Sequence, residues 1–454
     1  MVEVMEVPET RYATAPSGAR IAYQVIGDGA RDILLCSDWL SSIDLMWDEP
    51  RYEHCLRRLA SYGRLVLFDK RGTGASDPLE VRDGTFDVSL LEQADEDMLV
   101  VLDQVNSARA TLLGADTGGI AAIVFAATHP ERTEALVLQD SCAKVTTADD
   151  YPWGLDETAI SAIIDAVRES WGTGVALAAL APSLLADRST VQWCARYERL
   201  SVPPATMIAS FEDAAQIDVR AVLPFVRAPT LVLSHDASTL IPVGQGRYLA
   251  DRIPDSRRVE LEGSDIWLFS DPRLVEEICS FLGEASAPPD ADDRVLAAVL
   301  FTDLVSSTTQ LAQLGDRRWK ELLEIHDRVS ARGVNDHRGK LVDRAGDGML
   351  ATFDGPARAV RCATAIGTEL RKLGLEMRAG VHVGEVELRG DGVAGIAVHL
   401  AARVMGKAGP GEVLVSRTVR DLTVGSGLEF RDLGPHDLKG IPGTWELFAL
   451  ETSQ

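Results

Sequence analysis

Two short stretches, FTDLVSST (301–308) and DRAGDGMLATF (343–353), decide the fold of the last third of the chain. Each presents one aspartate, Asp303 or Asp347, at a predicted strand end or tight turn beside small residues. Glycines flank Asp347, so the second stretch is predicted to be a β-hairpin that turns at 346–348. Because Mg²⁺ and Mn²⁺ prefer oxygen ligands, these two carboxylates could hold two such ions against a triphosphate.

The segments around the hairpin predict a small α+β domain. Amphipathic helices are expected at 317–332 and 356–373, one on each side of the hairpin. Together with the strand that carries Asp303 they give the order β-α-β-β-α-β with additions, a ferredoxin-like arrangement.

The first part of the chain has a different pattern, typical of the α/β class. Short apolar strands alternate there with helical stretches, which predicts a parallel sheet covered on both faces. Residues from about 150 to 225 interrupt this alternation with helical, Trp-containing sequence and predict a helical cap over the sheet. The strands are expected at 32–37, 64–69, 110–115, 135–140 and 230–235.

Length and charge limit the possible functions. The chain has 454 residues and a formal net charge of −24, which predicts two or three domains and argues against nucleic acid or an anionic membrane as a partner. Its six cysteines are scattered without a CxxC pair, so we expect reduced thiols and no structural zinc. There is no signal-peptide pattern and no apolar run of the roughly 18 residues that a membrane span needs. We therefore expect a soluble cytoplasmic protein without a transmembrane segment.

One segment marks a domain boundary. EASAPPDADD (284–293) is rich in Pro, Ala and Asp and lacks apolar periodicity, as exposed linkers do. We predict an N-terminal domain over 1–285, a linker over 286–293 and a second domain over 294–454.

The N-terminal domain carries a motif of hydrolases. LLGADTGG (112–119) follows a predicted strand and opens a helix, and its Gly-x-x-x-Gly frame fits a nucleophile elbow. With DKRGTGASD (69–77), FAATHPERTEALVL (125–138) and APTLVLSHDASTLIPVGQGRYLA (228–250), it makes residues 10–285 resemble the α/β-hydrolase fold.

The same resemblance fails at the catalytic positions. Asp116 stands where the family usually has the nucleophilic serine, Ile266 where it has the histidine, and Ser238 where it has the acid, although Asp236 could substitute. Without a base, a covalent intermediate lacks its hydrolytic step, and we interpret His235 as a loop residue. We therefore predict a catalytically degenerate domain that senses a small-molecule or lipid ligand or sets dimer geometry.

Two further motifs follow the acidic stretches, GIAVHLAAR (395–403) and DLKGIPGTWELFAL (437–450). In this order the motifs make residues 294–450 resemble the catalytic domain of class III adenylate and guanylate cyclases. The complete layout resembles the hydrolase–cyclase fusion proteins of mycobacteria. The resemblance implies that Asp303 and Asp347 bind two Mg²⁺ or Mn²⁺ ions.

The resemblance also implies roles for the remaining site residues. Arg403 matches the arginine that stabilises charge on the α-phosphate, and His399 stands four residues earlier, on the same predicted helix face, where the family usually has asparagine. Lys439 matches a phosphate-binding lysine. Backbone amides after the first metal aspartate would hold the phosphates, in the segment Leu304, Val305, Ser306 and Ser307.

Two positions bear on the choice between guanine and adenine. Asp343 stands where adenylate cyclases usually carry a lysine, and Gly392 where they carry an aspartate. A carboxylate accepts hydrogen bonds from the N1–H and amino group of guanine, so we expect GTP to be used at least as well as ATP.

The predicted function is the conversion of GTP or ATP into a 3′,5′-cyclic nucleotide and pyrophosphate at two symmetric sites of a homodimer. The hydrolase-like domain would be a regulatory or sensor module. Two alternatives stay open: an esterase or epoxide hydrolase that uses Asp116 and carries a cyclase-like dimerisation module, or a non-catalytic nucleotide-binding signalling protein.

Overall fold

The computed structural model describes residues 7–37, 39–79, 81–82, 85–86, 89–284, 294–305, 307, 316–345, 347–389 and 392–451. The chain divides into two compact units, Met1–Ala291 and Asp292–Gln454. The expected linker, 286–293, lies outside the described residues. Across the part of the chain that the structure describes, no helix is long and apolar enough to cross a membrane.

The first unit is built on an eight-stranded sheet. Its described strands are β1 (Arg11–Thr14), β2 (Arg20–Ile26), β3 (Asp32–Cys36), β4 (Arg64–Phe68), β5 (Val81–Arg82), β6 (Thr85–Phe86), β7 (Ala110–Ala115), β8 (Thr133–Gln139), β9 (Thr230–His235) and β10 (Ser256–Leu261). The sheet order is β1-β2-β4-β3-β7-β8-β9-β10, while β5 pairs with β6 separately. The strands from β4 to β10 in this order run parallel, and β1 and β2 form an antiparallel edge.

Helices cover this sheet. They are α1 (Pro50–Ala60), α2 (Leu90–Gln104), α3 (Thr117–Thr128), α4 (Glu157–Ser170), α5 (Val175–Leu180), α6 (Arg188–Ser201), α7 (Pro204–Ala214), α8 (Val243–Arg252) and α9 (Pro272–Glu284), with short 3₁₀ turns at Leu45–Asp48, Pro130–Arg132, Pro182–Ala186 and Leu223–Phe225. Every residue of β3 is buried, as expected for a strand covered on both faces. The predicted α/β fold is confirmed, and the four helices α4–α7, which we call the cap, lie between β8 and β9.

The second unit is a mixed sheet with helices. Its described strands are β11 (Arg294–Leu304), β12 (Lys340–Ala345), β13 (Gly348–Phe353), β14 (Met377–Arg389), β15 (Gly392–Ala394), β16 (Val413–Ser416), β17 (Phe430–Asp437) and β18 (Thr444–Leu450), and its helices are α10 (Asp316–Asp336), α11 (Pro356–Lys372), α12 (Ile396–Met405) and α13 (Arg417–Leu422). The sheet order is β12-β13-β11-β14-β16-β18-β17, with β15 on β14. The first six elements follow the predicted β-α-β-β-α-β order.

Strand β11 lies inside this sheet, between β13 and β14. Ala297 and Val299 pack with Ala397 and Ala401 of α12 in one apolar cluster, which Phe301 borders. The intervening side chains, such as Leu300, are buried as well. Because side chains alternate along a strand, Asp303 lies on the side of the sheet that α12 covers.

Candidate functional site

Strand pairing brings the two predicted metal aspartates together. β11 pairs with β13 so that Asp303 stands opposite Gly348, the residue after Asp347. The Leu304 N–H donates to the carbonyl oxygen of Asp347 over 3.3 Å. β12 and β13 form the expected hairpin, with Ala345 opposite Gly348. Two carboxylate-bearing residues therefore meet where β11 ends and β13 begins.

An arginine that the sequence reasoning missed contacts Asp303. Arg378, on β14, stands opposite Asp303 in the sheet register. Its Nε donates to Asp303 Oδ2 over 3.0 Å, and a terminal nitrogen donates to the same oxygen. The side chains are 35% and 24% exposed. A usable sequence signal was the arginine at the second position of the mostly apolar stretch MRAGVHVG (377–384).

The expected phosphate-binding amides are only partly available. The Leu304 N–H is bonded to Asp347, and the Val305 N–H donates to the carbonyl oxygen of Glu376 over 2.8 Å. These two amides are occupied by the protein, which corrects the expectation for them. Ser307 is half-buried, and Ser306 lies outside the described residues.

The two residues predicted to contact the α-phosphate, His399 and Arg403, lie on α12. The helix turns Ala397, Leu400, Ala401 and Val404 into the protein, whereas His399 and Arg403 are exposed. Within the described residues, neither of these two side chains forms a hydrogen bond or an ion pair. Ile396, on the same outer side, is 60% exposed. The described part of one chain therefore leaves both polar groups unengaged.

The remaining predicted residues lie near the sheet edges. Asp343 is exposed on β12, next to a register irregularity between Leu341 and Asp343. Gly392 opens β15, and β15 approaches β12. Lys439 is exposed in the turn after β17.

One histidine of the second unit is held neutral. His382, on β14, is buried, and its Nδ1 lies 2.8 Å from the Ser416 hydroxyl. Burial lowers its pKa to about 4, because the charged imidazolium loses its hydration.

The first unit retains the backbone of a nucleophile elbow. Asp116 joins β7 to α3 with φ 48° and ψ −121°, a left-handed conformation that is strained for a residue with a Cβ. A Cβ at Gly118 would lie 2.2 Å from the Cys36 carbonyl oxygen, so this turn requires glycine. The Asp116 side chain is buried, and its Oδ2 accepts a hydrogen bond from Trp39 Nε1 over 3.1 Å.

The other two hydrolase positions have structural roles. Ser238 Oγ accepts the Ile241 N–H over 3.1 Å. Ile266 is buried in the core; its N–H donates to the Leu180 carbonyl oxygen over 2.7 Å, and its own carbonyl oxygen accepts from Gln139 Nε2 over 2.6 Å. An apolar side chain thus fills the place expected for the histidine.

The interpretation of His235 as a loop residue was wrong. His235 is the last residue of β9 and is buried. Its Nδ1 lies 2.9 Å from Asp140 Oδ2 and its Nε2 3.3 Å from Asp271 Oδ2. Burial opposes the charged imidazolium, but the hydrogen bonds and charges of Asp140 and then Asp271 outweigh it and raise the pKa. Both ring nitrogens are engaged by carboxylates.

Comparison with known proteins supports the fold of the first unit. A family model for the alpha/beta hydrolase fold matches residues 53–272. A probable esterase of Oryza sativa subsp. japonica is 22% identical over 248 residues, which are 53% of this chain and 87% of that protein. The crystal structure of an esterase from a Rhodococcus species aligns with a TM-score of 0.53 and 24% identity, over 61% of this chain and 99% of that one.

A different relative matches the C-terminal region. Putative adenylate cyclase 3 of Rhizobium meliloti (strain 1021) is 30% identical over 164 residues, which are 33% of this chain and 27% of that protein. This chain therefore spans about a quarter of that relative's length. The chain joins a region with the α/β-hydrolase fold to a region that matches an adenylate cyclase, as a hydrolase–cyclase fusion does.

Proposed function

We propose that the second unit is a class III nucleotide cyclase, which converts GTP or ATP into a 3′,5′-cyclic nucleotide and pyrophosphate. The proposal rests on the pairing of β11 with β13, which makes Asp303 and Asp347 neighbours beside a cation, Arg378. Similarity to an adenylate cyclase supports it.

The donor chemistry of this aspartate pair fits Mg²⁺ or Mn²⁺. Asp303 and Asp347 offer carboxylate oxygens, and no third His, Cys, Asp or Glu completes a metal-binding cluster among the described residues. Two carboxylates leave the other coordination positions to phosphate oxygens and water, as Mg²⁺ prefers. When bound, two such ions would lower the pKa of the ribose 3′-hydroxyl and neutralise the triphosphate.

The protein's own cations would stabilise the rest of the developing charge. The ribose 3′-oxygen attacks the α-phosphorus and pyrophosphate leaves, so negative charge grows on the phosphate oxygens. Arg403 and His399 would donate hydrogen bonds at the α-phosphate, and Lys439 at the outer phosphates. Arg378 uses one side of its guanidinium on Asp303 and would offer the other to a phosphate.

We propose that the active unit is a homodimer. His399 and Arg403 stand on the outer face of α12, whereas Asp303 lies further along β11, on the side of the sheet that this helix covers. A second copy of the chain that packs on this face would receive these donors and would bury Ile396, which is 60% exposed. Symmetry then gives two equivalent sites.

The nucleobase would contact Asp343 on β12 and Gly392 on β15. A carboxylate at Asp343 favours GTP at least as much as ATP.

The first unit would regulate this reaction without hydrolysing substrate. Asp116 is bonded to Trp39, and its cleft is lined by described residues that include no histidine. A hydrolase that uses Asp116 is the second candidate, favoured by the retained elbow conformation and by similarity to esterases.

We place the protein in the cytoplasm, because its six cysteines are free and buried, as in proteins of a reducing compartment.

Product analysis tests the cyclase. Purified protein is incubated with each nucleoside triphosphate and Mn²⁺ or Mg²⁺, and cyclic products are separated by chromatography. Asp303→Ala or Asp347→Ala should each lower turnover by about 100-fold or more, whereas Glu369→Ala, which removes an exposed carboxylate paired with Lys372, should not. Nucleotide binding without product would support the non-catalytic alternative.

A further inference from the structure

The first unit holds a buried histidine between two carboxylates, and the proposed reaction does not use it. The side chains of His235 and Asp140 are each 1% exposed, and that of Asp271 is 11% exposed. Asp140 follows β8, His235 ends β9, and Asp271 immediately precedes α9. The imidazole therefore joins three separate elements of the first unit.

The hydrogen bonds around both carboxylates favour their ionised form. Asp140 accepts the backbone N–H of His235 and the side-chain amide of Gln139, each over 2.8 Å. Asp271 accepts the guanidinium of Arg273, with Nε at 2.9 Å and a terminal nitrogen at 2.6 Å. An ionised carboxylate only accepts hydrogen bonds, so the imidazole satisfies both aspartates only when both of its nitrogens are protonated. A neutral ring would place a lone pair against one carboxylate oxygen.

The other charged groups near the ring leave this preference in place. Arg273 is the nearby cation, and its side chain is 54% exposed to water. Two further acids, Asp236 and Glu262, are exposed. Burial opposes the charged ring of His235, but the hydrogen bonds and charges of the two buried aspartates outweigh it and raise the pKa.

The same network fixes the segment 262–271, which joins β10 to α9, at two points. At the end of the segment, Asp271 contacts the imidazole over 3.3 Å. In its middle, the Ile266 carbonyl oxygen accepts Gln139 Nε2 over 2.6 Å, and this nitrogen also donates to Asp140. The segment is thus held through the two residues that follow one another at the end of β8.

The segment in turn holds the cap. The N–H groups of Ile266 and Trp267 both donate to the Leu180 carbonyl oxygen, over 2.7 and 3.1 Å. Leu180 is the last residue of the cap helix α5. Asp140 has a φ of 41°, a strained conformation for a residue with a Cβ, which persists only where surrounding contacts impose it. The contacts of Asp140 therefore form a continuous path from the imidazole to the cap.

We propose that His235 is a pH-sensitive clamp, whose imidazolium holds the segment 262–271 and the end of α5 on the sheet and whose deprotonation releases them. Asp271 is the partner that separates, because it lies outside the sheet and is the more exposed of the two. The stabilisation is complete below the unfolded pKa of about 6.5 and is lost as pH rises through the higher pKa of the folded protein. The clamp concerns the first unit alone, so its failure is distinguishable from a failure of the cyclase proposal.

The first experiment is a histidine titration by NMR on the full-length protein with ¹³C-labelled histidine. The chain has eight histidines, and the signal that disappears in His235→Gln belongs to His235. This signal should titrate above the ordinary value of about 6.5. A signal that titrates at or below that value would overturn the proposal.

The second experiment follows hydrogen exchange of the segment 262–271 and of α5 by mass spectrometry, with protection factors corrected for the intrinsic effect of pH. Between about pH 6 and about pH 9, protection in the wild-type protein should fall about 10-fold or more, the value of one hydrogen bond between charged groups. His235→Gln, which keeps a polar side chain without the charge, should show low protection at both values.

Matched variants complete the test. His129→Gln removes another histidine bonded to a carboxylate, Asp95 at 2.9 Å, at the end of α3, and it should leave the pH dependence of the segment unchanged. Asp271→Asn keeps the imidazole and should shift both the His235 signal and the loss of protection to lower pH, which serves the test if His235→Gln does not fold. Protection that is independent of pH, that keeps its pH dependence in His235→Gln, or that changes equally in His129→Gln would contradict the clamp.

Discussion

Replacing Arg378 with methionine should change metal binding and nucleotide binding in opposite directions. Arg378 donates a hydrogen bond to Asp303 Oδ2, with its Nε at 3.0 Å. A metal ion that uses the same oxygen must compete with this ion pair. Arg378→Met keeps most of the side-chain volume but removes the competing charge, so Mn²⁺ alone should bind more tightly.

The size of the effect follows from the exposure of the pair. The side chains of Arg378 and Asp303 are 35% and 24% exposed. Their exposure lies between that of surface ion pairs, which contribute about 0–1 kcal/mol, and that of buried charged hydrogen bonds, which contribute up to about 3 kcal/mol. A value of about 1–2 kcal/mol corresponds to a gain of about 5- to 30-fold in Mn²⁺ affinity. The KM for the Mn²⁺–nucleotide complex should instead rise by about 10-fold, because a phosphate loses a guanidinium donor.

Electron paramagnetic resonance of free Mn²⁺ measures the Mn²⁺ affinity. Each protein is compared with its own Asp303→Ala derivative, since a chain with a net charge of −24 binds Mn²⁺ elsewhere too. Arg417→Met, which removes an exposed arginine paired with Glu446, is the matched control. If Arg378→Met leaves the Mn²⁺ affinity unchanged, or if Arg417→Met raises it equally, the competition inferred from the ion pair is wrong.

Four other predictions concern separate parts of the chain. Asp303→Ala and Arg403→Ala proteins, each inactive, should recover about a quarter of wild-type turnover when mixed, since half the dimers would carry one intact site of two; no recovery despite subunit exchange shown by mass spectrometry would exclude a shared site. Asp343→Lys should shift the ratio of kcat/KM values toward ATP by about 10-fold or more, and an unchanged ratio would show that Asp343 does not contact the base. His382 has its pKa lowered from 6.5 to about 4, so the unfolded chain binds more protons between these values; unfolding free energy should therefore fall as pH decreases through this window, by about 3 kcal/mol at its lower end, and denaturant titrations of His382→Gln should show a flatter profile. The first unit should not turn over simple esters or epoxides, and hydrolysis that disappears in Asp116→Ala would establish the hydrolase alternative.

The sequence predicted the fold well because its signals are local. The apolar strand Asp32–Cys36 and the hairpin of Lys340–Ala345 with Gly348–Phe353 were visible from composition and turn residues alone. The β-α-β-β-α-β order followed from the periodicity of the segments between them.

The site was less predictable, because its partners come from distant segments. Arg378 meets Asp303 only through the pairing of β14 with β11, a sequence separation of 75 residues. His235 contacts Asp140, 95 residues away, and Asp271, 36 residues away. The occupied amides of Leu304 and Val305 depend in the same way on carbonyl groups of distant residues, Asp347 and Glu376. Single-sequence patterns carry no information about such pairings.

The two carboxylates of the candidate metal site are supported by different parts of the molecule. Asp303 continues the row of side chains that includes Val299 and Phe301, against which Ala397 and Ala401 of α12 pack. Its backbone is paired with β13 on one side and with β14 on the other, whereas Asp347 lies between the two strands of the hairpin, β12 and β13. If the second unit binds a nucleotide as proposed, we expect the distance between the two acids to be adjusted at Asp347 rather than on the inner strand.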